Sequence, residues 1–132
     1  MGVDMAWTGL PGQESKAVLD ALGKSQAVIE FKLDGTIITA NENFCRALGY
    51  SLEEIKGKHH RIFCDPAYTA TAEYREFWAM LNKGQFETRE YKRFRKDGSE
   101  IWIQASYNPV FRGGKLVKIV KFATDITAAK LK

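Results

Sequence analysis

The stretch Ala27-Val28-Ile29-Glu30-Phe31-Lys32-Leu33-Asp34-Gly35-Thr36-Ile37-Ile38-Thr39-Ala40 sets two β-rich runs on either side of Asp34-Gly35. Branched and aromatic side chains suit the pleated, half-buried surface of a strand, and glycine tolerates the positive φ of a tight turn. The stretch therefore predicts an antiparallel hairpin that opens a sheet. The same code returns twice downstream. Residues 86–95 and 100–110 flank Lys96-Asp97-Gly98, and Arg112-Gly113-Gly114-Lys115 leads into residues 116–124. Ile101, Ile103, Ala105 and Tyr107 alternate with Trp102, Gln104 and Ser106, as a strand with one buried face should.

Between the β regions the period becomes helical. Asn41 or Asn43 can cap a helix carrying Phe44, Ala47 and Leu48 and stopped by Gly49. Ser51-Leu52-Glu53-Glu54 matches a capping box, in which serine and glutamate each satisfy a backbone N–H of the other's end. Past Asp65-Pro66, residues 71–83 place Tyr74, Phe77, Trp78 and Leu81 on one helical face, and Gly84 stops the run. Ahead of the first strand, residues 14–24 read as a short amphipathic cap helix, too short to stand alone. Residues 1–13 read as a flexible lead, residues 25–127 as the domain, and residues 128–132 as the start of a further helix. Strands, then helices, then strands argue an α+β fold: one antiparallel sheet with helices on one face and a pocket between the layers.

The bulk properties narrow the function. A chain of 132 residues fits one domain, and its longest apolar run is far too short to span a bilayer. Cys45 and Cys64 form neither a disulfide framework nor a metal spacing, which suits a cytoplasmic protein. Lys92, Arg93, Arg95 and Lys96 alternate with Glu87, Glu90, Asp97 and Glu100, so this segment reads as a solvated hairpin and not as a nucleic-acid surface. No nucleophile with its base and no phosphate loop is present, so the expectation is a protein that is not an enzyme.

Residues 25–127 resemble the PAS family. The resemblance rests on Asp34-Gly35-Thr36-Ile37, Ala40-Asn41-Glu42-Asn43-Phe44, Leu48-Gly49-Tyr50-Ser51-Leu52-Glu53-Glu54-Ile55-Lys56-Gly57, Arg95-Lys96-Asp97-Gly98-Ser99 and Asp125-Ile126-Thr127, in order and at family spacing. It implies a five-stranded antiparallel sheet in spatial order 2-1-5-4-3. The chain is most similar to PAS domains of bacterial soluble, aerotaxis-like methyl-accepting chemoreceptors. That similarity implies a sensory input module, feeding a downstream signalling domain of the same polypeptide through Asp125-Ile126-Thr127. It also implies a homodimer joined through the cap helix at Val18, Leu19 and Leu22.

Some of these relatives bind FAD. Trp78-Ala79-Met80-Leu81-Asn82-Lys83-Gly84 is similar to a motif of their long helix, which implies Trp78 as an aromatic wall for a flavin. Phe44, His60, Phe77 and Leu81 would line the same pocket, with Asn43 or Gln104 as the polar edge. Cys64 and Ala67 stand where such relatives carry arginine and aspartate, and Arg93-Phe94-Arg95-Lys96 replaces their Asn-Arg-Arg-Lys string. Haem-binding relatives draw a histidine from the long helix; residues 71–83 have none, so haem would need His59 or His60. Light-sensing flavin domains use a cysteine at the place held by His60. The alternative to FAD is a domain without a prosthetic group, binding a small ligand or serving as a dimerisation and relay unit.

Overall fold

The computed structural model describes Ala17, Asp20, Ala21, Lys24 and residues 26–131. The expected lead, and Val18, Leu19 and Leu22 at which a dimer contact is expected, lie outside the described residues. The expected hairpin is formed by β1 (Ala27–Phe31) and β2 (Ile37–Ala40), paired antiparallel. In its turn the Thr36 N–H donates to Asp34 Oδ1 at 2.9 Å, and Gly35 takes φ 92°.

The helical segment follows. Asn41 caps α1 (Glu42–Leu48), its Oδ1 accepting the Phe44 N–H at 3.0 Å and the Val28 N–H of β1 at 2.9 Å, so one side chain ties helix start to sheet. The capping box forms at Ser51 and opens the single turn α2 (Leu52–Ile55). A 3₁₀ turn (His60–Phe63) and α3 (Pro66–Thr69) lead to α4 (Ala72–Asn82), capped by Thr71. The chain closes with β3 (Glu87–Phe94), β4 (Glu100–Arg112), β5 (Lys115–Asp125) and the single turn α5 (Thr127–Lys130).

The five strands make one sheet in the order β2-β1-β5-β4-β3. Each neighbouring pair is antiparallel. The helices lie over the inner face, where Ile29, Phe31, Ile101, Ile103, Ala105, Tyr107, Ile119 and Ala123 meet Phe44, Leu48, Phe63, Tyr74, Phe77, Trp78 and Leu81 in one core. No described helix is long and apolar enough to cross a membrane.

Two expectations need correction. Arg93 is not on a solvated hairpin: it follows Tyr91 in strand phase, points inward and is only 4% exposed. Where a pocket is expected between sheet and helices, Phe31, His60, Phe77, Trp78 and Tyr107 pack ring against ring.

Candidate functional site

The centre of the core is an imidazole. His60 is wholly buried, placed there by the 3₁₀ turn whose cap is its neighbour His59. His59 Nδ1 accepts the Arg61 N–H at 3.1 Å, and Nε2 donates to the Asp34 carbonyl at 2.8 Å. The two histidines therefore divide the work: His59 fixes the turn and His60 enters the core. Gly35 makes this packing feasible, since a Cβ there would stand 2.6 Å from His59 Nε2 and 3.2 Å from the Trp78 ring.

His60 joins the two layers. Nδ1 lies 2.8 Å from the Tyr74 hydroxyl on α4, and Nε2 lies 2.8 Å from the Tyr107 hydroxyl on β4. Arg93 Nη2 donates to the Tyr107 oxygen at 3.2 Å. The donor order that satisfies this chain has Tyr107 donating to Nε2 and the Nδ1–H donating to Tyr74. Cys64 Sγ stands 3.7 Å from Nδ1. Around the imidazole are Phe31, Phe63, Tyr74, Phe77, Trp78 and Tyr107, with ring centroids 5.3 to 6.3 Å away.

The electrostatics are one-sided. Burial, reinforced by Arg93 and Lys121, holds the His60 pKa well below the usual histidine value, so the ring is neutral at pH 7. Burial likewise pushes the Lys121 ammonium well below its ordinary pKa, with Arg93 adding to the effect. Burial raises the Cys64 thiol and pushes the Tyr107 phenol up to about 12. Lys121 makes no hydrogen bond to another described residue, and its Nζ faces the rings of Tyr107 at 4.9 Å and Phe44 at 5.8 Å. Trp78 Nε1 and Arg93 Nε are buried without a hydrogen-bond partner. The buried polar side chains among the described residues are His60, Arg93 and Lys121, with no carboxylate beside them.

The structure brings Phe44, His60, Phe77, Trp78 and Leu81 together in this core. It does not bring Asn43 or Gln104 to them. Asn43 Nδ2 donates to the Gln26 carbonyl at 3.2 Å, at the start of β1. Gln104 is exposed on the opposite face of the sheet, as the alternation along β4 already required. Arg93, Lys121, Tyr74 and Tyr107 are the site residues that sequence reasoning missed. For the two cations the available signal was strand phase: Arg93 shares the face of Tyr91, and Lys121 that of Ile119 and Ala123.

A flavin finds its walls here but not its space. Trp78, Phe77 and Phe44 are the expected aromatic surfaces, and the bare N–H groups of Trp78 and Arg93 suit acceptor atoms. Yet His60 occupies the middle, with Phe77 and Tyr107 centroids 4.8 Å apart beside it. A three-ring isoalloxazine does not fit this packing unless the 3₁₀ turn moves. Haem meets the same obstacle, since both nitrogens of His60 bond to phenols and both of His59 to backbone. Among the described residues no group of three or more His, Cys, Asp or Glu could hold a metal ion.

Comparison with known proteins agrees with this architecture. The family model described as PAS fold matches residues 37–123. The chain is 44% identical over 115 residues to the biofilm dispersion protein BdlA of Pseudomonas aeruginosa, covering 86% of this chain and 28% of that protein. It is 30% identical over 95 residues to the aerotaxis receptor of Escherichia coli, covering 72% of this chain and 19% of the receptor. The chain thus spans less than a third of either relative. A solved light-oxygen-voltage domain, studied with a flavin analogue, superposes with a TM-score of 0.69 at 25% identity, over 90% of this chain and 91% of that one.

Proposed function

The chain belongs to the PAS family, and from that premise we propose that it is the sensory input module of a chemoreceptor-type signalling protein, with a signalling and not a catalytic role. The similarity to BdlA and to the aerotaxis receptor supports the class of protein. The observation that carries the mechanism is the hydrogen-bonded span Tyr74–His60–Tyr107, which couples α4 to β4 through the core. Anything that displaces the imidazole alters the strain on β4.

That strand also holds the exit. The Trp102 N–H donates to Thr127 Oγ1 at 3.0 Å, and the Ile126 N–H donates to the Trp102 carbonyl at 2.8 Å. Thr127 in turn donates from N and Oγ1 to Asp125 Oδ1, at 2.9 and 2.6 Å. A change at Tyr107 thus reaches the start of α5 along a single strand. The module would work in the cytoplasm, drive a downstream domain of its own polypeptide and pair with a second copy through residues 14–24. Sedimentation of a chain beginning at Ser25 checks the pairing, which fails if association is unchanged.

The relay is tested by amide hydrogen exchange in His60→Phe. Faster exchange at Ile126 and Thr127, with the rest of the sheet protected, is the expected result; unchanged exchange at both removes His60 from the relay. FAD as carrier of a redox or oxygen signal is the second reading, favoured by the bare Trp78 Nε1 beside the expected flavin wall. It requires the 3₁₀ turn to swing out, and it predicts a yellow protein that releases flavin on denaturation. A colourless protein that takes up no FAD on reconstitution ends that reading and leaves the fold intact.

A further inference from the structure

Buried charge is ordinarily matched by an opposite charge, because taking an ion out of water is unfavourable unless a partner replaces the solvent. Arg93 and Lys121 break this pattern. Arg93 Nη1 donates to the Lys92 carbonyl at 3.0 Å and Nη2 to Tyr107 at 3.2 Å, while Nε has no partner. Among the described residues Lys121 Nζ makes no hydrogen bond, and it faces the rings of Tyr107 and Phe44. The half-buried carboxylate on the same sheet face, Glu87, is engaged by Arg89 Nε at 2.7 Å and the Tyr91 hydroxyl at 2.8 Å. The other titratable groups facing the pair are His60, Cys64, Tyr68, Tyr74, Tyr91 and Tyr107; burial favours the neutral form of each of them. Beyond the Lys92 carbonyl and the Tyr107 oxygen that Arg93 already uses, no acceptor among the described residues meets Arg93 Nε or Lys121 Nζ.

We propose that the Nε–Nη2 edge of Arg93 and the Lys121 ammonium, brought to one another by the Tyr107 ring, receive a small carboxylate ligand. This deepens the reading of the core as the receiving centre, on which it rests, by giving the chemical class of the signal. The Nε–Nη2 edge presents two parallel N–H bonds, the geometry that matches the two oxygens of a carboxylate. Lys121 Nζ supplies a further point donor, and an anion beside it would favour the protonated form that burial alone disfavours. The rings of Phe44 and Tyr107 beside it suit a short hydrocarbon chain, not a second polar group. A guest here must displace packed side chains, which favours a compact one over an isoalloxazine. Phosphate would bring four oxygens and a second charge into a space with one fork and one ammonium. On α3 the half-buried Tyr68 ring lies with its face 6.0 Å from the Arg93 guanidinium, so a ligand approaching Arg93 from that side would pass it. Entry there would press on Tyr74, whose ring packs edge-on against Tyr68 at 5.3 Å, and so on the His60 span.

The test follows the Arg93 Nε–H and Trp78 Nε1–H resonances of ¹⁵N-labelled protein during titration with acetate, butyrate and succinate. Inorganic phosphate is titrated in parallel, with chloride holding the ionic strength constant. Saturable shifts at Arg93 with at least one carboxylate are expected, weakened about tenfold or more in Lys121→Met and in Arg93→Lys, which keeps the charge and loses the fork. Circular dichroism and the unaffected resonances establish that each variant is folded. The proposal is overturned if no carboxylate gives a saturable shift, if phosphate binds as well as the carboxylates, or if both folded variants bind like the parent. Exchange at Ile126 and Thr127 in His60→Phe needs no ligand, so failure here leaves the relay reading standing.

Discussion

On β1 and β2 the inner face of the sheet presents Ile29, Phe31 and Ile37, while on β3, β4 and β5 it presents Tyr91, Arg93, Tyr107 and Lys121 among apolar neighbours. Both halves are buried equally, and their strands are neighbours: Lys121 stands opposite Ile29 on one side and Tyr107 on the other. A sheet needs only the first kind of face, since apolar area removed from water gives about 25 cal/mol per Å². Replacing buried ionic groups by well-packed apolar ones is often neutral or stabilising. The polar half is therefore a feature that folding does not ask for, and its chemistry points to what enters the core.

The largest effect should come from the apolar half. Phe31 is fully buried and packs its ring against His60, Trp78 and Tyr107. Phe31→Ala should lower stability by about 3–5 kcal/mol, read as a lower urea midpoint with an unchanged slope. A loss under about 1 kcal/mol would show that this half is plastic and would blur the contrast.

The division between the halves also marks what the sequence could disclose. The hairpin at Asp34-Gly35, the capping box at Ser51 and the helical stripe of Tyr74, Phe77, Trp78 and Leu81 are written in neighbouring residues, and each formed where the pattern placed it. Strand order came from resemblance, because pairing β1 with β5 joins residues about ninety positions apart. The polar half resisted reading for another reason. Composition places lysine and arginine at the surface, and only strand phase argues otherwise; at Arg93 the charge pattern points outward while the phase, which the fold follows, points inward. Gln104 is the opposite case: a polar side chain suits a flavin's edge, but the alternation along β4 faces it outward. His60 enters through the resemblance, but its bonds to Tyr74 and Tyr107 are not legible locally, since those partners lie 14 and 47 residues away.

His60→Phe should have the next largest effect, about 1–3 kcal/mol at neutral pH, because it leaves two buried hydroxyls without their partner. The pH dependence sharpens this. In the folded protein the imidazole stays neutral to well below its usual pKa, whereas the unfolded chain takes up a proton near pH 6.5. The unfolded state therefore binds more protons as the pH falls below 6.5, and the contribution of His60, complete above that value, declines by up to about 1.4 kcal/mol per pH unit. The gap between parent and variant should narrow between pH 7.5 and pH 5 in urea titrations. A constant gap would mean that His60 takes up its proton in the fold as readily as in the unfolded chain.

Thr127→Val tests the exit, where the contrast between halves no longer operates. It deletes the acceptor of the Trp102 N–H and the donor to Asp125 Oδ1, and it should reduce stability by about 1 kcal/mol. Exchange at Trp102 should quicken while the amides of β1 stay protected. Equal acceleration throughout the sheet would show that the exit is part of the global folding unit and not a separate joint.

Lys121→Met is expected to change stability least, and it bears most directly on the contrast. Methionine matches the length of the lysine stem and needs no partner, so Phe44 and Tyr107 keep their packing. If Lys121 is present for binding, its removal at pH 7 should leave stability unchanged or raise it by about 1 kcal/mol. The advantage should then shrink as the pH rises, for a definite reason. The unfolded lysine holds its proton up to about pH 10.5, and the folded one releases it earlier, so the parent gains stability with rising pH while the variant does not. Thermal or urea titrations between pH 7 and pH 10 measure both trends. A large loss of stability in Lys121→Met at every pH would make the buried lysine a structural member of the sheet, and the two halves would then differ in composition without differing in purpose.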